Sequence, residues 1–268
     1  MRDGYTRVCK HVLEKGHFTA PRGETTREVI DAVIVLDRPW DALPIGVGRK
    51  PNLAIAAAEA AQLIGGVSHP ELMVRITKNF DRFRDGGVFH GAYGPRTRSQ
   101  LPTVIERLRE DPETRQAVVT LWDPLHDLFS APRDLPCTVM LQFLIRRDRL
   151  QLHTTMRSND VWWGLAYDAF QFTQLQLAVA NVLGVEPGRY YHHAVSLHAY
   201  ERDWESIEAL IDSDGTEGDD RVTAGFGTPG LNDWDGTAQI AREVLEGKRP
   251  AADSCAGWYH EQLEQYLR

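Results

Sequence analysis

The chain has 268 residues, 42% hydrophobic and 25% charged, a balance typical of a soluble globular protein with one substantial core. A net charge of −8 and an isoelectric point of about 5.7 exclude general attraction to a nucleic acid polymer, although a local arginine cluster can still hold a small anion. Three scattered cysteines without CxxC spacing, no signal-peptide apolar region and no apolar run of about 18 residues predict a cytoplasmic protein without a metal, a disulfide framework or a membrane partner.

The first predicted elements are a helix, a turn and a strand. Val8, Val12 and Leu13 repeat at helical spacing in Tyr5–Lys15, and Gly16 follows as a C-terminal cap. The turn at 21–26 carries Arg22 beside a glycine and two threonines. Such a turn can hold a phosphate, but an ordinary solvated turn explains the same residues. Residues 27–36 are rich in valine and isoleucine and predict a strand.

Two helices are predicted next, over 52–64 and over 70–83. Glu59 interrupts a nearly apolar, alanine-rich segment, where a carboxylate is costly unless it has a partner or a task. A structural salt bridge and a catalytic acid both explain it. Phe80 and Phe83 lie one turn apart in the second helix, a spacing typical of core residues.

The remaining elements fit one α+β domain over residues 1–268, without repeats or a linker. A hydrophobic segment over 169–183, ending before Gly184, predicts a central buried helix. The other predicted elements are a loop over 89–98, an amphipathic helix over 100–109, a strand over 117–122, a hairpin over 139–145 and 150–156, a strand over 190–200, a helix over 201–211, an exposed loop over 213–220, and helices over 237–246 and 258–267.

Cys137 is the candidate nucleophile. A lone cysteine is usually a small core residue, but a thiolate nucleophile requires nearby positive charge, and Arg157 lies on the adjacent strand of the predicted hairpin. The adjacent His192 and His193 lie on a predicted strand. We expect their side chains to point to opposite faces, which argues against a shared metal.

The order of residues after Cys137 resembles that of the thymidylate synthases. Arg157, Asp168 and His198 follow Cys137 after 20, 31 and 61 residues, the spacing of that family without a gap. The run Arg157-Ser158-Asn159-Asp160, Gly164 and the pair His198 and Tyr200 belong to the same pattern, which covers about residues 5–210. The resemblance is strongest to the cytidylate hydroxymethylase branch of the family, because Asp168 stands where thymidylate synthases carry asparagine.

The resemblance implies a fold and a chemistry. The fold is a single domain whose twisted mixed β-sheet packs against a central buried helix, with one sheet face forming a homodimer interface. The substrates are a pyrimidine nucleoside monophosphate and the folate 5,10-methylenetetrahydrofolate. The resemblance implies that Cys137 adds to C6 of the base, so that C5 attacks the one-carbon unit of the folate.

The resemblance also implies a role for each remaining site residue. Glu59 exchanges protons with a network of water molecules beside the base, and Tyr93 supports removal of the C5 proton. The 5′-phosphate is held by Arg22, Arg157, Ser158 and, from the partner subunit, Arg115. The sugar contacts are His198 and Tyr200. The folate contacts are Asp160, Gly164, Phe80 and Phe83.

Asp168 bears on the choice of base. An asparagine amide pairs with uracil, whereas a carboxyl group can accept from the 4-amino group of cytosine and stabilise a proton at N3. The sequence therefore favours a cytidine nucleotide. An N-cap of the helix predicted over 169–183 explains an aspartate equally well.

The sequence favours a hydroxymethyl product over a methyl product. Phe80 and Phe83 replace two tryptophans of the thymidylate synthases, Gln62 replaces another, and the C-terminal residues are polar and predicted helical. Each change makes water entry easier. Ser158 and Arg115 favour dCMP, although nothing forbids the CMP of nucleoside natural-product biosynthesis. A dCMP 5-methylase, a dUMP-using thymidylate synthase and an inactive nucleotide- or RNA-binding homologue stay open.

Overall fold

The structure is a computed structural model that describes residues 2–44, 49–129, 132–213, 232–251 and 254–267. Within these ranges seven strands form one mixed sheet in the order β1-β2-β7-β5-β4-β3, with β6 paired to β7. β7 runs parallel to β5 and β6, and the other pairs are antiparallel. The strands are β1 His17–Thr19, β2 Thr26–Leu36, β3 Val118–Thr120, β4 Thr138–Arg146, β5 Arg149–Met156, β6 Asn159–Asp160 and β7 Glu186–Tyr200.

A long buried helix, α6, packs against this sheet and against α2, which confirms the predicted architecture. Leucine, alanine and phenylalanine side chains occupy most faces of α6 itself, so the helix lies in the core rather than on the surface. The helices are α1 Arg2–Lys15, α2 Leu53–Gly65, α3 Pro70–Ile76, α4 Tyr93–Thr97, α5 Leu101–Glu110, α6 Gly164–Leu183, α7 Trp204–Asp212, α8 Trp234–Leu245 and α9 Gly257–Leu263.

Local chemistry sets the ends of α2 and α6. The side chain of Asn52 accepts hydrogen bonds from the backbone N–H groups of Ala54 and Ile55, which caps α2 at its start. Gly66 and Gly184 follow the two helices with φ of 66° and 67°, a conformation that glycine adopts at little cost. α2 and α6 pack side by side between these ends, and each contributes one carboxyl group to the candidate site.

Several predicted boundaries were wrong. The single helix predicted over 70–83 is divided, because Thr77 has an extended backbone and a 3₁₀ turn, Lys78–Phe83, follows α3. The predicted loop over 89–98 contains the short helix α4. Most important, α6 begins at Gly164, five residues before the predicted start, and therefore includes Asp168.

The C-terminal segment is helical, as predicted. α9 and a 3₁₀ turn, Glu264–Tyr266, follow one another, and the Tyr259 hydroxyl donates a hydrogen bond of 2.7 Å to Gln174 on α6. The loop predicted over 213–220 lies, apart from Ser213, outside the described residues. No helix in the described part of the chain combines the length and the apolar composition that crossing a membrane demands.

Candidate active site

The β4–β5 hairpin brings Cys137 and Arg157 together. The backbone N–H of Arg157 donates to the Cys137 carbonyl at 2.9 Å, which continues the pairing of the two strands by one step. The Arg157 guanidinium donates from Nε to the Pro136 carbonyl at 3.0 Å and from Nη2 to the Leu135 carbonyl at 3.2 Å. Nη2 also lies 3.9 Å from the Cys137 sulfur. The main chain before the thiol therefore holds a fixed positive charge beside it.

Burial nevertheless raises the pKa of the Cys137 thiol to about 11. Arg157 and Arg22 oppose this rise, whereas the carboxyl groups of Asp168 and Asp134 add to it. The expected lowering by Arg157 is present, but desolvation of the thiolate is the larger effect. The buried thiol thus holds its proton at neutral pH.

Cys137 opens into a cavity of about 250 Å³ between α2, α6 and the segment that precedes β4. Five of the other residues predicted for the site line it: Glu59, Phe80, Phe83, Tyr93 and Asp168. The rings of Phe80 and Phe83 lie 6.2 Å apart between centroids, and Tyr93 stacks on Phe172 at 5.6 Å. The cavity therefore combines apolar ring faces, three carboxyl groups (Glu59, Asp134 and Asp168) and one thiol, as a flat polar heterocycle would require.

Asp168 is fixed by two amide donors. It lies in the second turn of α6, while Trp163 occupies the N-cap position, so the N-cap explanation for this aspartate was wrong. Asn159 donates from Nδ2 to Oδ2 of Asp168 at 2.8 Å, and Gln171 donates from Nε2 to Oδ1 at 3.1 Å. Burial raises the pKa of Asp168 to about 7 against the opposing effect of these two donors.

Glu59 projects from α2 toward the same space. Its Oε2 is buried and, among the described residues, has no hydrogen-bond partner, and no cation of the described part of the chain pairs with Glu59. The salt-bridge explanation therefore finds no support there. Burial, with a contribution from the negative charge of Asp168, raises the pKa of Glu59 to about 8. Glu59 is thus a carboxylic acid at neutral pH, able to give and to take a proton.

A cationic group lies beside the thiol. Arg22 has φ of 56°, in the left-handed region that a non-glycine residue adopts only at a cost, which is a common feature of functional sites. Its positive charge lowers the pKa of both Cys137 and His198. The His198 ring meets the Tyr200 ring edge-on at 5.0 Å. Since β2 pairs with β7, the sheet brings the turn that carries Arg22 next to His198 and Tyr200.

Eight predicted site residues lie outside the cavity lining: Arg22, Arg157, His198 and Tyr200, described above, and Ser158, Asp160, Gly164 and Arg115. The half-buried Ser158 follows Arg157, and Asp160 accepts at 2.8 Å from the Trp162 backbone. Gly164 begins α6, where an added Cβ would lie 2.8 Å from the Asn159 amide nitrogen. Arg115 is exposed before β3, and this chain alone does not bring it to the cavity.

Some polar groups of the site were missed from the sequence. Asp134 lines the cavity and accepts at 3.0 Å from the Gly91 backbone. His192 is fully buried and its ring nitrogen lies 2.9 Å from the Asn159 side-chain oxygen. His193 on the next position is partly exposed, so the prediction that the two histidines face opposite sides is confirmed. The two-residue period of β7 places Tyr190 and His192 on the same face of the strand. This period was the one signal in the sequence that could have brought these two residues together.

Comparisons with known proteins agree with this geometry. A family model described as "Thymidylate synthase" matches residues 3–217. The chain is similar to a deoxyuridylate hydroxymethyltransferase of Bacillus phage SP01, with 34% identity over 218 residues that cover 75% of this chain and 57% of the relative. A second deoxyuridylate hydroxymethyltransferase, of Pseudomonas phage M6, is 35% identical over 206 residues, covering 72% of this chain and 58% of the relative. The chain thus spans somewhat more than half the length of these relatives.

Proposed function

The chain belongs to the thymidylate synthase family, and from that premise we propose that it hydroxymethylates a cytidine monophosphate, with dCMP favoured over CMP. The one-carbon donor is 5,10-methylenetetrahydrofolate, and the product is the 5-hydroxymethyl nucleotide. The observation that carries the proposal is Asp168, a buried carboxyl group beside the candidate nucleophile, with an amide donor on each oxygen.

Asp168 supports cytosine through the hydrogen bonds it can make. Cytosine offers a donor, the 4-amino group, and an acceptor, N3. A carboxyl group that carries one proton matches both, and burial raises the pKa of Asp168 to about 7, so a proton is available near neutral pH. Asn159 and Gln171 both donate to Asp168, and neither takes its proton.

Cys137 begins the reaction. The thiol gives its proton to water, its sulfur forms a bond to C6 as the C5–C6 double bond is lost, and Asp168 supplies the proton that N3 gains. C5 then attacks the one-carbon unit of the folate, the remaining bond between this carbon and the folate nitrogen breaks as C5 loses its proton, and tetrahydrofolate leaves. Glu59, protonated at neutral pH because burial raises its pKa to about 8, exchanges protons with water beside the base, and Tyr93 assists loss of the C5 proton. Water adds to the resulting exocyclic methylene, and the thiol leaves C6.

Arg22, Arg157 and Ser158 hold the phosphate in this proposal, and His198 and Tyr200 hold the sugar. The guanidinium groups of Arg22 and Arg157 both act on the pKa of Cys137, so both are near the thiol. A bound phosphate would accept hydrogen bonds from them.

A homodimer completes the phosphate site. The sheet face turned away from α6 exposes Ile30, Val33 and Val195, whose accessible fractions are 62%, 59% and 44%. An apolar face of this kind on adjacent strands is typical of a surface that another subunit covers. In the dimer, Arg115 of one subunit reaches the phosphate bound by the other.

Water capture rather than methylation is supported by the cavity walls. Phe80 and Phe83 give the folate ring an apolar surface, and Asp160 offers an acceptor to the pterin. The amide of Gln62 is used within the fold, where it donates to the Ala58 carbonyl and accepts from the His69 backbone. α9 packs on α2, and the described lining residues include none from 232–251 or 254–267. A C-terminal helix that packs on α2 favours water capture at the reacting carbon in this proposal.

The experiment is one incubation with dCMP and methylenetetrahydrofolate, in which product mass and dihydrofolate absorbance are measured together. Addition of a hydroxymethyl group without dihydrofolate is the expected result. A methyl product with stoichiometric dihydrofolate would contradict water capture. Turnover of CMP but not of dCMP would show that the substrate is the ribonucleotide. Nucleotide binding without turnover of any nucleotide would mean an inactive binding homologue.

The second candidate function is hydroxymethylation of dUMP. The two phage relatives are named as deoxyuridylate hydroxymethyltransferases, which favours it, and a protonated Asp168 can donate to O4 of uracil while it accepts from N3–H. The same incubation with dUMP in place of dCMP separates the two, since the preferred base gives the larger kcat/KM.

A further inference from the structure

Behind Asp168 a row of buried hydrogen bonds crosses from α6 to the sheet. The Tyr190 hydroxyl lies 2.8 Å from Nδ1 of His192, Nε2 of His192 lies 2.9 Å from Oδ1 of Asn159, and Nδ2 of Asn159 lies 2.8 Å from Oδ2 of Asp168. Tyr190, His192 and Asn159 are almost completely buried. We call these three residues the relay.

The direction of every hydrogen bond in the relay follows from Asn159. Its Nδ2 donates to Asp168, so its Oδ1 accepts, and the proton between Asn159 and His192 sits on the histidine Nε2. Burial lowers the pKa of His192 to about 3, so the ring carries one proton only. Nδ1 of His192 therefore accepts, and the Tyr190 hydroxyl donates.

A reversed relay is the alternative arrangement. With the histidine proton on Nδ1, Nε2 would accept from Asn159, and the amide would be turned with its oxygen toward Asp168. Asp168 would then donate its hydrogen bond to the Asn159 oxygen rather than to the substrate. The Tyr190 hydroxyl can donate to Nδ1 or accept from it, so it holds the His192 ring in place, while the Asn159 amide, with Nδ2 on Asp168, sets the direction.

We propose that Tyr190, His192 and Asn159 act as positioning residues that direct the proton of the base-reading carboxyl group toward the substrate. This inference deepens the proposed function and rests on it. Gln171 donates to the other oxygen of Asp168, so both protein neighbours leave the proton for the base. Asn159 also fits closely against Gly164, where a side chain would collide with the Asn159 amide and approach Oδ2 of Asp168 to 3.3 Å.

The groups that face Asp168 bear on its titration. They are Glu59 on α2, Asp160 on β6, Tyr190 on β7, and Tyr93 and Cys137 at the cavity. Asp160 raises the pKa of Asp168, whereas the Asn159 and Gln171 donors lower it. An amide turned by loss of the relay would change from a group that lowers this pKa to one that raises it.

The test compares Tyr190→Phe, which keeps the ring, with His192→Leu, and follows kcat/KM for dCMP from pH 5.5 to 9. In the wild type, activity should fall as pH rises through the pKa of Asp168. In both variants we expect this fall to occur about one pH unit higher and the low-pH plateau to be about tenfold lower. His192→Gln, which can still donate to Asn159, should restore much of the plateau.

Gln174→Leu is the matched control, since it removes a buried polar group of α6 outside the relay. It should lower stability without moving the pH at which activity falls. An unchanged pH profile in both Tyr190→Phe and His192→Leu would overturn the relay. If the wild type turns over no nucleotide, the proposed function fails, and calorimetric binding of dCMP and dUMP across the same pH range still tests the relay in the same variants.

Discussion

The cationic and the acidic residues of the candidate site differ in position and in solvation. Arg22 and Arg157 are exposed and lie in a turn and just beyond a strand end, respectively. Glu59 and Asp168 project from buried helices, and burial raises the pKa of both. The first pair can reach an anion that arrives from solvent. The second pair keeps protons in a buried part of the cavity, where a base of matching shape can receive them. The two regions meet at Cys137, on which their charges act in opposite directions.

The largest expected effect comes from the residue where the two regions meet. Replacing Cys137 by serine should lower kcat at least about a thousandfold, because the nucleophile is lost, while dCMP binding stays within a few-fold of wild type. Initial-rate assays and calorimetry measure the two quantities. Cys255→Ser, at an exposed thiol, is the control and should leave both unchanged. Substantial turnover by the Cys137 variant would exclude the covalent mechanism.

Loss of the positive charge at Arg157 isolates the cationic region. Arg157→Met should lower kcat/KM about a hundredfold, since a charged hydrogen-bonding group is removed from both the phosphate and the thiol. It should also slow alkylation of Cys137 by iodoacetamide, because a higher pKa of Cys137 leaves less thiolate. Arg107→Met is the control on the outer side of α5, where Arg107 hydrogen-bonds to Gln116. Unchanged alkylation would show that Arg157 does not act on the thiol.

The cationic region could be predicted from the sequence better than the acidic one. Arg157, Cys137 and the hairpin between them follow from local pattern and spacing, and the hairpin is present. The central helix was also predicted, but its start was placed after Asp168, because the residues before it lack the strong apolar run that marks the rest of α6.

The hydrogen bonds behind Asp168 could not be read from the chain. Asn159 and His192 are 33 residues apart, and β6 pairs with Leu197 and His198 of β7 rather than with His192, so the strand pairing alone does not predict their contact. A buried histidine also gives no sign in the sequence of which partner it will find. The net rise in the pKa of Cys137 was missed for a similar reason, since the extent of burial depends on packing rather than on the neighbouring charge alone.

The acidic region should weaken the fold at high pH. The ordinary pKa of Glu59 is near 4.5 and its folded pKa is about 8, so the unfolded chain ionises first as pH rises. Stability is therefore full below pH 4.5 and is lost progressively up to about pH 8. Glu59→Gln cannot ionise and should gain about 2–4 kcal/mol of unfolding free energy, relative to wild type, between pH 5 and pH 8.5.

Chemical denaturation at the two pH values measures this difference. Glu14→Gln serves as the control, since Glu14 is half exposed and pairs only with Lys10 within the described residues. An equal effect of Glu59→Gln at both pH values would show that Glu59 ionises as easily in the folded chain as in the unfolded chain.

The smallest expected effect concerns the choice of base, and it decides what the acidic region recognises. Asp168→Asn replaces a carboxyl group by an amide of the same shape, so the Asn159 donor keeps an oxygen to bind. We expect kcat/KM for dCMP to fall about tenfold or more and kcat/KM for dUMP to rise, because an amide offers uracil both the donor and the acceptor it requires. Gln171→Leu, which leaves the carboxyl group in place, should lower activity without reversing the preference. If Asp168→Asn lowers both rates equally, Asp168 supplies a proton without reading the base, and a preference for cytosine would have to come from another part of the cavity.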